Sequence, residues 1–104
     1  MTFDEYQAFA RSVAIYPPHA AIIYPTLGLV SEAGEVAGKV KKCIRDGGSF
    51  PVDALGAELG DVLWYVSVLA AEFGFTLSEI AEMNKDKLSG RAARGTIGGS
   101  GDNR

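Results

Sequence analysis

The stretch DGGSFP, residues 46–51, limits what this chain can fold into more than any other feature. On either side of it lies a long segment with apolar residues at helical spacing. Leu27, Val30, Ala33, Ala37, Val40 and Ile44 form the stripe before it, and Leu55, Leu59, Val62, Val66, Leu69 and Phe73 the stripe after it. This spacing predicts helices over about residues 25–45 and 52–73. So short a link leaves them as antiparallel neighbours. Gly47 can take the left-handed conformation that ends the first of them, and Asp53 is the expected N-cap of the second. Leu63, Trp64 and Val68 widen the second stripe well past one face. A helix apolar over most of its circumference is central or lies in an interface, so obligate oligomerisation is expected.

Two further helices follow from local signals. Thr2 and Glu5 have the spacing of a capping box, and Phe3, Tyr6, Phe9, Ala10 and Val13 continue at helical spacing, giving a helix to about residue 14. Pro17 and Pro18 break it, while Pro25 suits a first helical position. His19 lies in this connection, where a surface or supporting role is expected of a lone histidine. Thr76 and Glu79 form a second capping box and open a fourth helix to about residue 91. Ile80, Met83 and Leu88 are its few apolar positions, and Asn84, Lys87 and Arg91 run along one side. The ending RGTIGGSGDNR is rich in glycine and expected to be flexible in the free protein. It either frays or, through its glycines and Arg104, folds over bound phosphates. The expected organisation is an all-α domain over residues 1–94 and a glycine-rich tail over 95–104. No segment shows the alternation of a strand.

Composition narrows the function classes. The 104 residues carry a net charge of −3 and a pI near 5.0, which argues against DNA or RNA as partner, since such modules normally show a basic face. Cys43 is the single cysteine, so neither an internal disulfide nor a thiolate metal cluster can be built from it. The opening MTFDEYQAFARS is acidic and amphipathic and does not resemble a secretory leader. No uncharged run reaches the ~18 residues of a membrane span. A cytoplasmic protein without a membrane partner is expected.

The chemistry-bearing residues are two pairs of acids. Glu32 and Glu35 lie in SEAGEVAGKVKK, and Glu58 and Asp61 lie in GAELGDVLWYV. Residues three apart share a helix face. Measured from the connection at ~1.5 Å per residue, Glu35 stands ~15 Å up one helix and Asp61 ~13.5 Å up the other. All four can therefore converge. Carboxylates gathered in a semi-buried groove either retain a proton or are neutralised by a cation. All-oxygen ligands without His or Cys suit Mg²⁺, with Mn²⁺ as substitute, over Zn²⁺. The plainer alternative is a set of solvated helix charges paired with Lys39, Lys41, Lys42 and Arg45, yet Glu58 and Asp61 have no cation within a helical turn. Gly34 and Gly38, like Gly56 and Gly60, mark a bare strip on each helix, either for close helix approach or for a ligand. No glycine-rich phosphate loop between strand and helix is present.

The order EAGE then ELGD, with the ending NKDKLSGRAARGTIGGSGDNR, resembles the all-α nucleoside triphosphate pyrophosphohydrolases, and within them the short MazG-like branch. The resemblance implies a four-helix-bundle-type fold completed by a second subunit, as a dimer or tetramer. It also implies Mg²⁺-dependent cleavage between the α- and β-phosphates of a nucleoside triphosphate, releasing the monophosphate and pyrophosphate in nucleotide-pool house-cleaning. By position, Glu32, Glu35, Glu58 and Asp61 would be metal ligands and catalytic acids. Tyr65, Asn84, Lys87, Arg91 and Arg94 would contact substrate. Tyr16 and Tyr24 are further candidates for base stacking, and Lys39 for a phosphate contact. Two other readings stay open: a phosphoribosyl-ATP pyrophosphohydrolase, against which the GSGDNR ending argues, and a non-catalytic helical module that binds nucleotide and metal.

Overall fold

The computed structural model describes residues 1–104, and they form four α-helices and one 3-10 turn without a strand. Helix α1 spans Phe3–Ser12, α2 Ile23–Asp46, α3 Val52–Glu72 and α4 Leu77–Arg94. Both capping boxes are formed: Thr2 and Glu5 close the start of α1, and Thr76 and Glu79 that of α4. Gly47 ends α2 at φ 70°, where a side chain would be strained. His19 sits exposed in the 3-10 turn.

Three local expectations are corrected. Pro51, not Asp53, occupies the N-cap of α3, with no side-chain cap, so Asp53 lies inside the first turn. Its charge still favours that helix end through the backbone dipole. Pro25 is the third residue of α2 rather than the first. Within the first turn a proline still removes no helical hydrogen bond.

The third correction concerns the face that α2 presents. Residues Leu29, Glu32, Val36, Lys39 and Cys43 are the half-buried line against α3. The expected stripe lies roughly a third of the way round the helix, and Leu27, Val30 and Ile44 are 64%, 67% and 76% exposed. An apolar stripe reports which face avoids water, not which neighbour covers it.

Helix α3 is central: α2 runs along one side of it, while α1 and the start of α4 pack on the other. By length and hydropathy it could cross a membrane, but Glu58 and Asp61 interrupt it midway. The firmest packing is where α1, α3 and α4 meet, around fully buried Ala10 and Val68. Gln7 ties the three together there. Its Nε2 donates to the carbonyls of Ser67 and Phe75, both at 3.0 Å, and its Oε1 accepts from the Leu77 amide at 3.1 Å. Asp4 accepts from the Ser78 amide, so α1 satisfies two donors at the start of α4 that its own helix cannot.

Elsewhere the chain is open. Only 8 of 104 residues are buried, and the accessible surface is 7088 Å², against ~5,600 Å² for a compact monomer of this mass. The radius of gyration, 16.5 Å, likewise exceeds the ~13 Å of a compact domain this long. Helix α4 leans away from α2 and makes no substantial contact with it.

The tail does not trail loose. The Arg104 guanidinium donates to the carbonyls of Thr96, Ile97, Gly98 and Gly101, winding residues 96–104 into a loop. That loop folds back on α4. Glycine content alone suggested mobility; the loop is instead held by one guanidinium that bonds carbonyls of Thr96 and Ile97 as well as of two glycines.

Candidate metal centre

Three of the four acids meet. Carboxylate oxygens of Glu32 on α2 and of Glu58 and Asp61 on α3 lie within 4.8 Å of one another. Glu32 and Glu58 are half-buried, while Asp61 is exposed. The register predicted from heights above the turn brings them together, because the short link fixes α2 against α3. Glu35 is not drawn into the cluster. It lies about 60° further round α2 than Glu32, off the line that faces α3, and is exposed.

The electrostatics are those of under-neutralised acid. The Glu32 carboxyl is pushed above its ordinary range, first by loss of solvent, then by its hydrogen bond with Glu58 and the negative charges of Asp61, Glu58 and Glu35. Lys39 places its Nζ 3.4 Å from Glu58. The cation that Glu58 lacks along its own helix therefore comes from α2, two turns beyond Glu32. One ammonium against three carboxylates leaves an excess of negative charge. Hard oxygen donors in this number and spacing fit a divalent cation.

Tyr65 stands one turn beyond Asp61. Its phenol is pushed up by burial first, then by Tyr24 and the nearby negative charges of Glu32 and Asp61. Gly28 makes that position possible: a methyl group built on Gly28 would overlap the Tyr65 ring. Sequence reading passed over Gly28, because nothing local marks a glycine that faces a ring 37 residues away. Tyr6 on α1 was also missed as a neighbour of the site. Its hydroxyl is pushed up by burial and then by the charge of Asp61.

From Tyr65 a row of rings leads away from the acids. Tyr24 lies 6.5 Å from Tyr65, and Tyr16 stacks on Tyr24 at 5.5 Å. Tyr16 donates to Glu72 at 2.7 Å, and its phenol is pushed up to about 12, by burial first and by that hydrogen bond second. A cavity of about 400 Å³ opens there between Arg11, Tyr16 and Glu72.

The polar residues of α4 lie elsewhere in the single chain. Lys87 and Arg91 bind Asp102 of the tail, and Arg94 donates to the Arg104 carbonyl. Asn84 and Lys87 border a separate cavity. Gly34, Gly38, Gly56 and Gly60 have no atom near the place a Cβ would take. Close approach of α2 to α3 therefore does not explain them; they face open space.

Comparison with known proteins gives the family. Residues 25–95 match the family model of the MazG nucleotide pyrophosphohydrolase domain. The whole chain is 46% identical, over 114 aligned residues, to the Gene 37 protein of Mycobacterium phage L5, with all of both chains covered. No solved structure matches. The matched span holds the acid cluster, Tyr65 and the polar side of α4, and covers well over half of an all-helical chain: this protein belongs to the MazG nucleotide pyrophosphohydrolase domain family.

Proposed function

We propose that this protein is a Mg²⁺-dependent nucleoside triphosphate pyrophosphohydrolase, which hydrolyses a (d)NTP to the (d)NMP and pyrophosphate as a cytoplasmic house-cleaning enzyme. The observation that carries this reading is the meeting of Glu32, Glu58 and Asp61 within 4.8 Å on two helices of a MazG-family chain. Bound there, Mg²⁺, or Mn²⁺ in its place, would offset phosphate charge and lower the pKa of an attacking water. Glu32, Glu58 and Asp61 would hold the metal. Glu35, one turn from Glu32 on the same helix, completes the acid set if the helices draw closer around substrate.

The row Tyr65, Tyr24, Tyr16 supports a nucleotide lying with its phosphates at the acids and its base toward Tyr16. Lys39, already beside Glu58, suits a phosphate oxygen. Lys87, Arg91 and Arg94 complete the charge balance, and Asn84 adds a neutral hydrogen-bonding amide, when a second subunit brings its α4 to these acids. A homo-oligomer, dimer or tetramer, also accounts for the exposed stripe of α2 and for the open glycines. Burying the ~1,500 Å² by which the chain exceeds a compact monomer is the scale of a stable interface.

The test is a panel of canonical and modified dNTPs and NTPs, with phosphoribosyl-ATP included, scored for pyrophosphate release with and without Mg²⁺. At least one nucleotide should be turned over. Asp61→Asn and Glu58→Gln should each lower that turnover by about a hundredfold or more, since even the outer partners of metal ligands are worth ~10–100-fold. Undiminished activity in both folded variants would sink the assignment.

A further inference from the structure

We propose that the tail carries an internal phosphate mimic: Asp102 occupies an anion site made by Lys87 and Arg91, and pyrophosphate or the polyphosphate of a nucleotide displaces it. Asp102 Oδ1 lies 3.1 Å from Lys87 Nζ and 3.2 Å from Arg91 Nη2, and the Asp102 carbonyl accepts from the same Nη2 at 2.6 Å. One carboxylate thus bridges two cations one turn apart, as a phosphate oxygen pair would.

The two sides of this contact are unequal. The Arg91 side chain is 8% exposed, whereas that of Asp102 is 77% exposed. The cation is fixed by its surroundings and the anion reaches it from water, so the anion is the replaceable member. Exposed ion pairs contribute little, and a polyphosphate brings several charges against one. Arg91 also keeps a buried Nε–H without an acceptor. An unused donor of this kind is costly, and an anion with several oxygens can supply its acceptor. Beside the pair, a cavity of about 310 Å³ lies between Met83, Asn84, Lys87 and Asp102.

The tail is built to move as a unit. Arg104 organises the loop through its own carbonyls, while at the loop's base the Thr96 amide donates to the Arg91 carbonyl of α4 at 2.8 Å and acts as the hinge. Besides Asp102, the loop's tie to the α4 side chains is the bond from Arg94 Nε to the Arg104 carbonyl. The asymmetry of exposure, the orphaned donor and the hinged loop together describe a strap over a cationic site. Identification of the ligand as a polyphosphate rests on the hydrolase reading; the anion site itself does not.

The experiment is calorimetric titration of the full chain with inorganic pyrophosphate in EDTA, so that the acid cluster cannot take part through a metal. Asp102→Asn, which touches no core, should bind on the order of tenfold more tightly than wild type, the worth of one charge-assisted contact. Lys87→Met should abolish binding in either background. In wild type, pyrophosphate should speed amide exchange across residues 96–104. Equal or weaker binding by Asp102→Asn would overturn the proposal, because the carboxylate would then be supporting the site rather than filling it. A chain that binds pyrophosphate in this way but hydrolyses no nucleotide would refute the hydrolase reading alone.

Discussion

The junction of α1, α3 and α4 and the hairpin of α2 and α3 are built on opposite terms. At the junction, Gln7 is 7% exposed and spends its amide on three backbone groups, in α3, in α4 and in the link between them, 60 to 70 residues away. Along the hairpin, Leu27 and Val30 face water and two pairs of glycines face nothing, while three acids share one small space with a single lysine. The first region is complete within one chain. The second leaves an apolar stripe in water and three acids under-neutralised. The candidate site and the looser packing thus fall in the same place, as expected where a site stores repulsion for a ligand to relieve.

The contrast can be broken most forcefully from outside. If the proposed homo-oligomer forms through the exposed stripe, the pair Leu27→Glu and Val30→Glu should yield monomers in sedimentation and leave little nucleotide turnover. On a free surface the same changes would cost within about 0.5 kcal/mol each and alter neither measurement. Next in size is Gln7→Leu. It strands one donor and two acceptors and should lower stability by about 3 kcal/mol in urea titrations. A loss below ~1 kcal/mol would mean that water replaces the amide and that the junction is not closed.

Gly28→Ala tests the seam between the regions. The methyl must displace the Tyr65 ring, at a cost of about 1–3 kcal/mol, and turnover should fall with it because Tyr65 adjoins the acids. Glu32→Gln has the smallest effect and the most diagnostic sign. The Glu32 carboxyl holds its proton more tightly folded than unfolded. Its contribution to stability is therefore full below the ordinary value of 4.5 and is lost as pH rises through the higher folded value. Melts of metal-free wild type should fall across that interval, and those of Glu32→Gln should not. Above it the variant should be the more stable protein, and Mg²⁺ should close the gap by stabilising wild type alone.

These outcomes bear on how much of the molecule could be read from its residues. Thr2 with Glu5 and Thr76 with Glu79 were legible because a capping box is closed by atoms three residues apart. Glu32, Glu58 and Asp61 were legible because a short link and a constant rise fix their heights. Glu35 was not resolved from them, since a height does not say which way a side chain points. Gln7 was invisible: its partners are backbone groups that carry no sequence signal. The α2 stripe was legible as apolar, but not the face that meets α3. A stripe packed inside the chain and one left exposed on its surface leave the same periodic mark. Asp102 was read only as part of a glycine-rich ending, because its partners become neighbours through the turn that Arg104 imposes.

The tie between Gln7 and the start of α4 has a mechanical consequence. The helix is anchored at its first turn by Gln7 and Asp4 and then runs 18 residues with little support from α2, a reach of ~27 Å. Tilting such a rod by ~10° about its anchored end carries the far end ~5 Å sideways, about one helical turn's pitch. A change of a few tenths of an ångström in how the Gln7 amide seats would therefore be amplified many times at Arg91 and Arg94. The position of the cationic side of α4 is set from α1, at the far end of the chain from the residues that bear the charge.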